Sequence, residues 1–144
     1  MKIPEAAATY ISTRRVARLA TSSADGRPHV VPICYAFDGA SVYTALDLKP
    51  KRVEPLQLKR VRNILANPRV ALVVDDYTEE WSELAYVLVD GLGAVVSDET
   101  ELKRAVELLR KKYPQYETLL DDSPTVLRIT PERVVTWGLP GSDL

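Results

Sequence analysis

Little in this chain could hold a metal or attack a substrate. Cys34 is its only cysteine and His29 its only histidine. A single thiol excludes an internal disulfide and every cysteine-rich zinc arrangement. One histidine beside one cysteine gives a nucleophile–base triad little material. The two lie five apart on one expected strand, where side chains alternate, so they face opposite sides of the sheet. Each reads as a structural residue, in keeping with the burial habits of its type. No glycine-rich phosphate loop of the nucleotide or dinucleotide kind is present. The formal net charge is only −1, so no overall basic field collects nucleic acid. No apolar run approaches the roughly 20 residues a membrane helix needs. The opening MKIPEAAATYIST lacks the charged-then-apolar order of a secretory signal. These absences read as a soluble, cytoplasmic protein with no metal, no nucleic-acid partner and no membrane partner.

The 144 residues fit one domain, 1–144, because domains usually run to about 100–150 residues. Pro4 followed by Glu5, Ala6, Ala7 and Ala8 predicts a short opening helix. Arg15 to Ser22 alternates as a strand. Asp25-Gly26 then predicts a tight turn into a strand from Pro28 to Phe37. Asp38-Gly39 turns the chain again into Ser41–Asp47, which completes an antiparallel meander. Leu58, Val61 and Leu65 recur at helical spacing between Leu56 and Ala66, and Asn67-Pro68 stops that helix. Arg69–Asp75 reads as a strand covered on both faces. Ala85–Val96 is a long strand, in which Gly91 and Gly93 predict a bulge or sharp bend. Asp98 and Glu101 resemble a capping box opening a helix with the stripe Leu102, Ala105, Val106 and Leu109. Val126–Thr130 and Arg133–Gly138 read as two strands separated by a Pro131 turn. The result is a mainly β chain of about six antiparallel strands and two main helices. Barrel closure hides its edges, and a dimer interface hides its surplus apolar surface.

Positive charge stands out locally. Lys49, Lys51 and Arg52 surround Pro50, and Lys59, Arg60 and Arg62 follow on the next helix. At about 100° per residue, Lys59, Arg60 and Asn63 share the face away from Leu58, Val61 and Leu65. Two readings stay open at this point: a solvated basic helix face, or a site for a phosphate-bearing or carboxylate-bearing anion. Trp81 and Trp137, beside polar loops, are either core edge or flat partners for a ring system. Pro32 within a strand cannot donate to the ladder, which leaves room for a ligand edge near the backbone.

The segments Leu46-Asp-Leu-Lys-Pro-Lys-Arg52 and Lys59-Arg-Val-Arg-Asn-Ile-Leu-Ala-Asn-Pro-Arg-Val-Ala-Leu-Val-Val-Asp75 carry a family resemblance. With them the chain resembles the pyridoxamine 5′-phosphate oxidase-like split-barrel superfamily, from Arg15 to about Val96 and more weakly through Trp137-Gly138. Lys-Pro-Lys, Arg-Asn-Ile, Trp81-Ser82 and Val89-Asp-Gly91 are similar to its branch using the deazaflavin coenzyme F-420. The resemblance implies a six-stranded antiparallel split barrel of the FMN-binding type, a homodimer with cofactor clefts between subunits, and oxidoreductase activity. It places the cofactor phosphate at Lys59 and Arg60, with Asn63 nearby, and the ring against Pro32, Ile33, Cys34, Thr44 and Ala45. Lys49, Lys51 and Arg52 suit the anionic tail of F-420, and Trp81 matches an aromatic position near the ring of its own or the partner's site. The cofactor carries the chemistry, a hydride passed to a small unsaturated or electron-poor substrate, with Tyr35 or water as proton source. No catalytic side chain is selected. The arginine and histidine set used for pyridoxal substrates is not matched. Two alternatives stand beside this reading: an FMN-dependent reductase or oxidase, and a non-catalytic F-420- or flavin-binding protein.

Overall fold

The computed structural model describes residues 1–46 and 57–140. Its centre is one antiparallel sheet of seven strands in the order β2-β1-β5-β6-β7-β4-β3. The strands are β1 Ala17–Ser22, β2 Pro28–Ile33, β3 Ala36–Phe37, β4 Val42–Ala45, β5 Arg69–Asp76, β6 Ala85–Val95 and β7 Val126–Trp137. β2 and β3 end the sheet on opposite sides, yet only Cys34 and Tyr35 separate them in the chain. A sheet whose two edge strands are chain neighbours must curl, and this one curls into a split barrel.

Both expected Asp-Gly turns form. Gly26 and Gly39 adopt φ of 89° and 97°, the left-handed region that glycine enters without strain. Asp38 fixes its turn by accepting from the amides of Ala40 at 2.9 Å and Ser41 at 2.7 Å.

Two helices plug the barrel. Helix α1, Glu5–Thr13, buries Ala7, Tyr10 and Ile11 at one end, and the Tyr10 hydroxyl donates to the Ala85 carbonyl at 3.1 Å. Helix α2, Lys59–Ala66, buries Val61, Asn63 and Ile64 at the other. A second core of Tyr43, Val126, Val106, Leu109, Tyr113 and Tyr116 joins β4 and β7 to helices α3 (Glu99–Lys112) and α4 (Tyr116–Leu119). Asp98 caps α3 by accepting from the Glu101 amide at 2.9 Å. Among the described residues, no helix is long and apolar enough to cross a membrane.

Three expectations are corrected. The strand expected from Pro28 to Phe37 is two strands, broken at Cys34 and Tyr35. The pair expected around Pro131 is one continuous β7. The reason lies in the register: Asp90 faces Arg133 but Gly91 faces Pro131, so Glu132 is the extra residue of a bulge. Proline is tolerated there because a bulge already lacks a ladder bond. A Cβ on Gly91 would lie 2.3 Å from the Thr130 carbonyl oxygen, so glycine is what lets β7 cross. Third, β5 is covered on one face only: Val70, Leu72 and Val74 are buried, while Ala71 and Val73 are half-buried.

Candidate functional site

Helix α2 starts against electrostatic preference. Lys59 and Arg60 occupy its first turn, no acidic residue joins them, and Leu58 offers no side-chain cap. Each cation there opposes the helix dipole at a cost of about 0.3–1 kcal/mol, and among the described residues no side chain accepts from the first amides. By contrast α3, capped by Asp98, has Glu99 and Glu101 first and Arg110, Lys111 and Lys112 last, the arrangement that the dipole favours. An anion at the start of α2 would reverse its penalty.

The helix-face reading needs correction here. Asn63 is 2% exposed whereas Leu65 is 62% exposed, so α2 is turned further toward the sheet than apolar spacing predicts. The Asn63 amide donates to the Thr21 hydroxyl at 3.0 Å, which offsets the cost of burying it. Asn63 therefore anchors the turn carrying Lys59 and Arg60 from beneath.

Strand β2 brings His29 to the same place. His29 lies directly opposite Thr21, and facing residues of an antiparallel pair share one side of the sheet. Its Nδ1 is buried without a hydrogen-bond partner among the described residues. The neighbouring hairpin tip holds Asp25, whose carboxyl lies below the usual range. The Ser23 hydroxyl is the main cause, and the charge of Lys59 contributes. Two cations and a helix start with no side-chain cap among the described residues thus lie at one barrel end, above the buried Nδ1 of His29. Cations at a helix start suit a phosphate group.

The expected ring-lining residues gather elsewhere. Ile33, Thr44 and Ala45 are buried at 5%, 2% and 7% exposure, and Pro32 and Cys34 are exposed. The Thr44 hydroxyl donates to the Cys34 carbonyl at 2.8 Å, tying β4 to the corner between β2 and β3. Because β2 is an edge strand, the missing donor of Pro32 costs the ladder nothing. His29 and Ile33, the last residue of β2, lie four positions apart, a span of about 13 Å at 3.3 Å per residue. Phosphate-type and ring-type positions therefore lie at two ends of one strand.

Trp81 joins neither group within the chain. It opens a short 3-10 turn, Trp81–Glu83, and is 68% exposed. Lys49, Lys51 and Arg52 lie outside the described residues. Tyr35 cannot be a ready proton source. Its ring is fully buried, its hydroxyl donates to the Ile11 carbonyl, and burial pushes its acidity far from neutrality.

Sequence reasoning missed one cluster. In a cleft of about 630 Å³ at the α1 end, the Arg14 guanidinium contacts Asp76 through Nε at 3.1 Å and stacks 3.8 Å above the Tyr10 ring. Burial first, then Asp76, pushes the Tyr10 phenol up to about 12. A separation of sixty-two positions between Arg14 and Asp76 hides this pairing from local patterns. Here it locks α1 onto the end of β5.

A curled antiparallel sheet in this strand order, plugged by helices, defines a split-barrel protein. The chain belongs to the pyridoxamine 5′-phosphate oxidase family, whose pattern it matches over residues 3–138. It is 30% identical over 137 residues to the 5a,11a-dehydrotetracycline/5a,11a-dehydrooxytetracycline reductase of Streptomyces rimosus, covering 92% of this chain and 81% of the reductase. Among solved structures, a conserved hypothetical protein of Mycobacterium tuberculosis superimposes with a TM-score of 0.75 at 22% identity, covering 99% of this chain and 92% of that one. A FAD-binding protein of Mesorhizobium loti gives a TM-score of 0.65 at 27% identity, over 89% and 87% of the two chains.

Proposed function

We infer that the chain is a homodimeric, F-420-dependent reductase acting on a small unsaturated or electron-poor organic substrate. The observation that carries this reading is the start of α2, where Lys59 and Arg60 occupy a first turn that no described side chain caps. A phosphate is the chemistry this set complements, and the family supplies flavin-type cofactors that carry one. The Streptomyces rimosus relative supports reduction as the reaction class.

Lys59 and Arg60 hold the phosphate, and Asn63 keeps their turn in place through Thr21. The backbone of Pro32, Ile33 and Cys34, braced by Thr44 and continued by Ala45, orients the ring. Lys49, Lys51 and Arg52 take the anionic tail. Bound and reduced, F-420 supplies a hydride. No side chain need act as nucleophile, and with Tyr35 sealed inside the barrel the accompanying proton comes from water.

The partner subunit completes the cleft. Strand register places Pro32, Arg18, Val73, Leu88 and Val135 in one row across the outer sheet face, with Val30, Ala20 and Ala71 in the next. Val30 is 63% exposed. Apart from Arg18 the first row is apolar, and Val73, Leu88 and Val135 along it favour burial against a second copy. Exposed Trp81 then lies free to reach the partner's site.

One observation favours a second reading, FMN or FAD as cofactor: the likeness to the Mesorhizobium loti FAD-binding protein. Both readings place a phosphate on α2. Replacing Lys59 and Arg60 together with alanine is expected to weaken cofactor binding at least about a hundredfold, two charge-assisted contacts at roughly 1.5–3 kcal/mol each. Calorimetric titration measures this, and unchanged affinity would remove the phosphate assignment.

A further inference from the structure

A second pocket opens beside the β2–β3 corner and plays no part in holding phosphate. Its volume is about 360 Å³, and its walls include Arg15, Val16, Cys34, Tyr113, Tyr116 and Leu119. The Tyr113 and Tyr116 rings stand 5.5 Å apart, inclined at 60°. Val16 and Leu119 remain 39% and 40% exposed at the rim. Such walls suit a flat apolar body.

Arg15 lines this pocket, and Lys112 lies buried behind the Tyr113 wall, neither with a described carboxylate. The Arg15 guanidinium lies 4.6 Å from the Tyr113 ring centroid, and its Nη2 donates to the Lys112 carbonyl at 2.8 Å. The Lys112 ammonium lies 3.8 Å from the Tyr35 ring centroid and 5.4 Å from that of Tyr113. Its Nζ is buried with no hydrogen-bond partner among the described residues. Nor does either cation form an ion pair with a described carboxylate, although Arg14, Arg18, Arg110 and Arg128 all do. Burial first, then the charge of Arg15, pushes the Lys112 amine down to about 8. A buried cation kept beside another cation is unfavourable unless something negative joins them.

We propose that this pocket binds a flat, mainly apolar organic anion, its body against Tyr113 and Tyr116 and its acidic group toward Arg15 and Lys112. Cys34 belongs both to this wall and to the backbone assigned to the cofactor ring. An occupant therefore lies beside that ring, and its identity as the substrate rests on the cofactor reading above. The binding site itself stands on the pocket alone.

The test titrates 2-naphthoate and its neutral counterpart 2-naphthalenemethanol into the full chain by calorimetry, with amide chemical shifts locating each. Naphthoate is expected to bind about tenfold tighter than the alcohol, the worth of one charge-assisted contact, with shifts concentrated at Arg15, Cys34, Tyr35, Tyr113 and Leu119. Arg15→Gln with Lys112→Met should abolish the preference while circular dichroism stays unchanged. Leu119→Trp, a change at the exposed rim, should weaken both probes and leave F-420 or FMN affinity as it was. Equal affinity for acid and alcohol, shifts at another surface, or a preference that survives the double variant would overturn the proposal. Naphthoate bound here with no cofactor bound at all would keep the pocket and remove the cofactor reading; the converse would remove the pocket alone.

Discussion

At the scale of single residues, burial is spent on groups that ordinarily avoid it. Asn63 and Thr21 satisfy each other, and Tyr113 joins three backbone groups: it accepts from the Tyr35 amide at 3.0 Å and lies 2.8 Å and 3.0 Å from the Arg15 and Tyr35 carbonyl oxygens. Lys112 has only the faces of Tyr35 and Tyr113 and no hydrogen-bond partner among the described residues, and that has a measurable sign. Burial pushes its folded-state amine down to about 8 from the ordinary lysine value of 10.5. Between those values the unfolded chain binds more protons, so stability rises with pH across that window. Lys112→Met keeps the stem against Tyr35 and removes the charge. The variant should melt a few degrees higher than the parent at pH 7, with the gap closing by pH 10. A gap that stays constant with pH would show the amine to be solvated and ordinary. Neither the strain on Lys112 nor the pairing of Asn63 is legible in sequence. Both depend on neighbours tens of residues away, and apolar spacing alone put Asn63 on the wrong side of its helix.

At the scale of elements, local chemistry was a good guide wherever the cause was itself local. Asp-Gly turns, the Asp98 cap and the glycine-marked bulge all formed as their residue types dictate, since each is decided within a few positions. The two misjudged strand boundaries had distant causes. Pro131 passes through β7 because Gly91 on β6 makes room, and Pro28–Phe37 breaks where the sheet curls. Gly91→Ala should therefore be severe: backbone, not a flexible side chain, lies 2.3 Å from the added carbon. A loss of about 3 kcal/mol, or roughly 10 °C in Tm for a chain of this length, is expected by thermal melting. A loss near zero would mean that the bulge can slide. The candidate site was legible in part: cations at the start of α2 are visible in any listing of the chain, whereas His29 enters it only through strand pairing with Thr21.

For the whole molecule, the outer sheet face and the cofactor are the two linked questions. Leu88 sits between Val73 and Val135 in the row proposed as the interface, so a charge there would be buried against the second copy. Leu88→Glu should turn a dimer into a folded monomer by light scattering and weaken cofactor binding with it. A variant that remains dimeric would move the interface elsewhere. The central claim is tested most directly by paired titrations of the purified protein with F-420 and with FMN, followed by tryptophan fluorescence. The account predicts saturable binding of both, with F-420 tighter because its longer anionic tail gains Lys49, Lys51 and Arg52. Tighter binding of FMN, or an F-420 preference that survives replacement of those three residues with alanine, would contradict it.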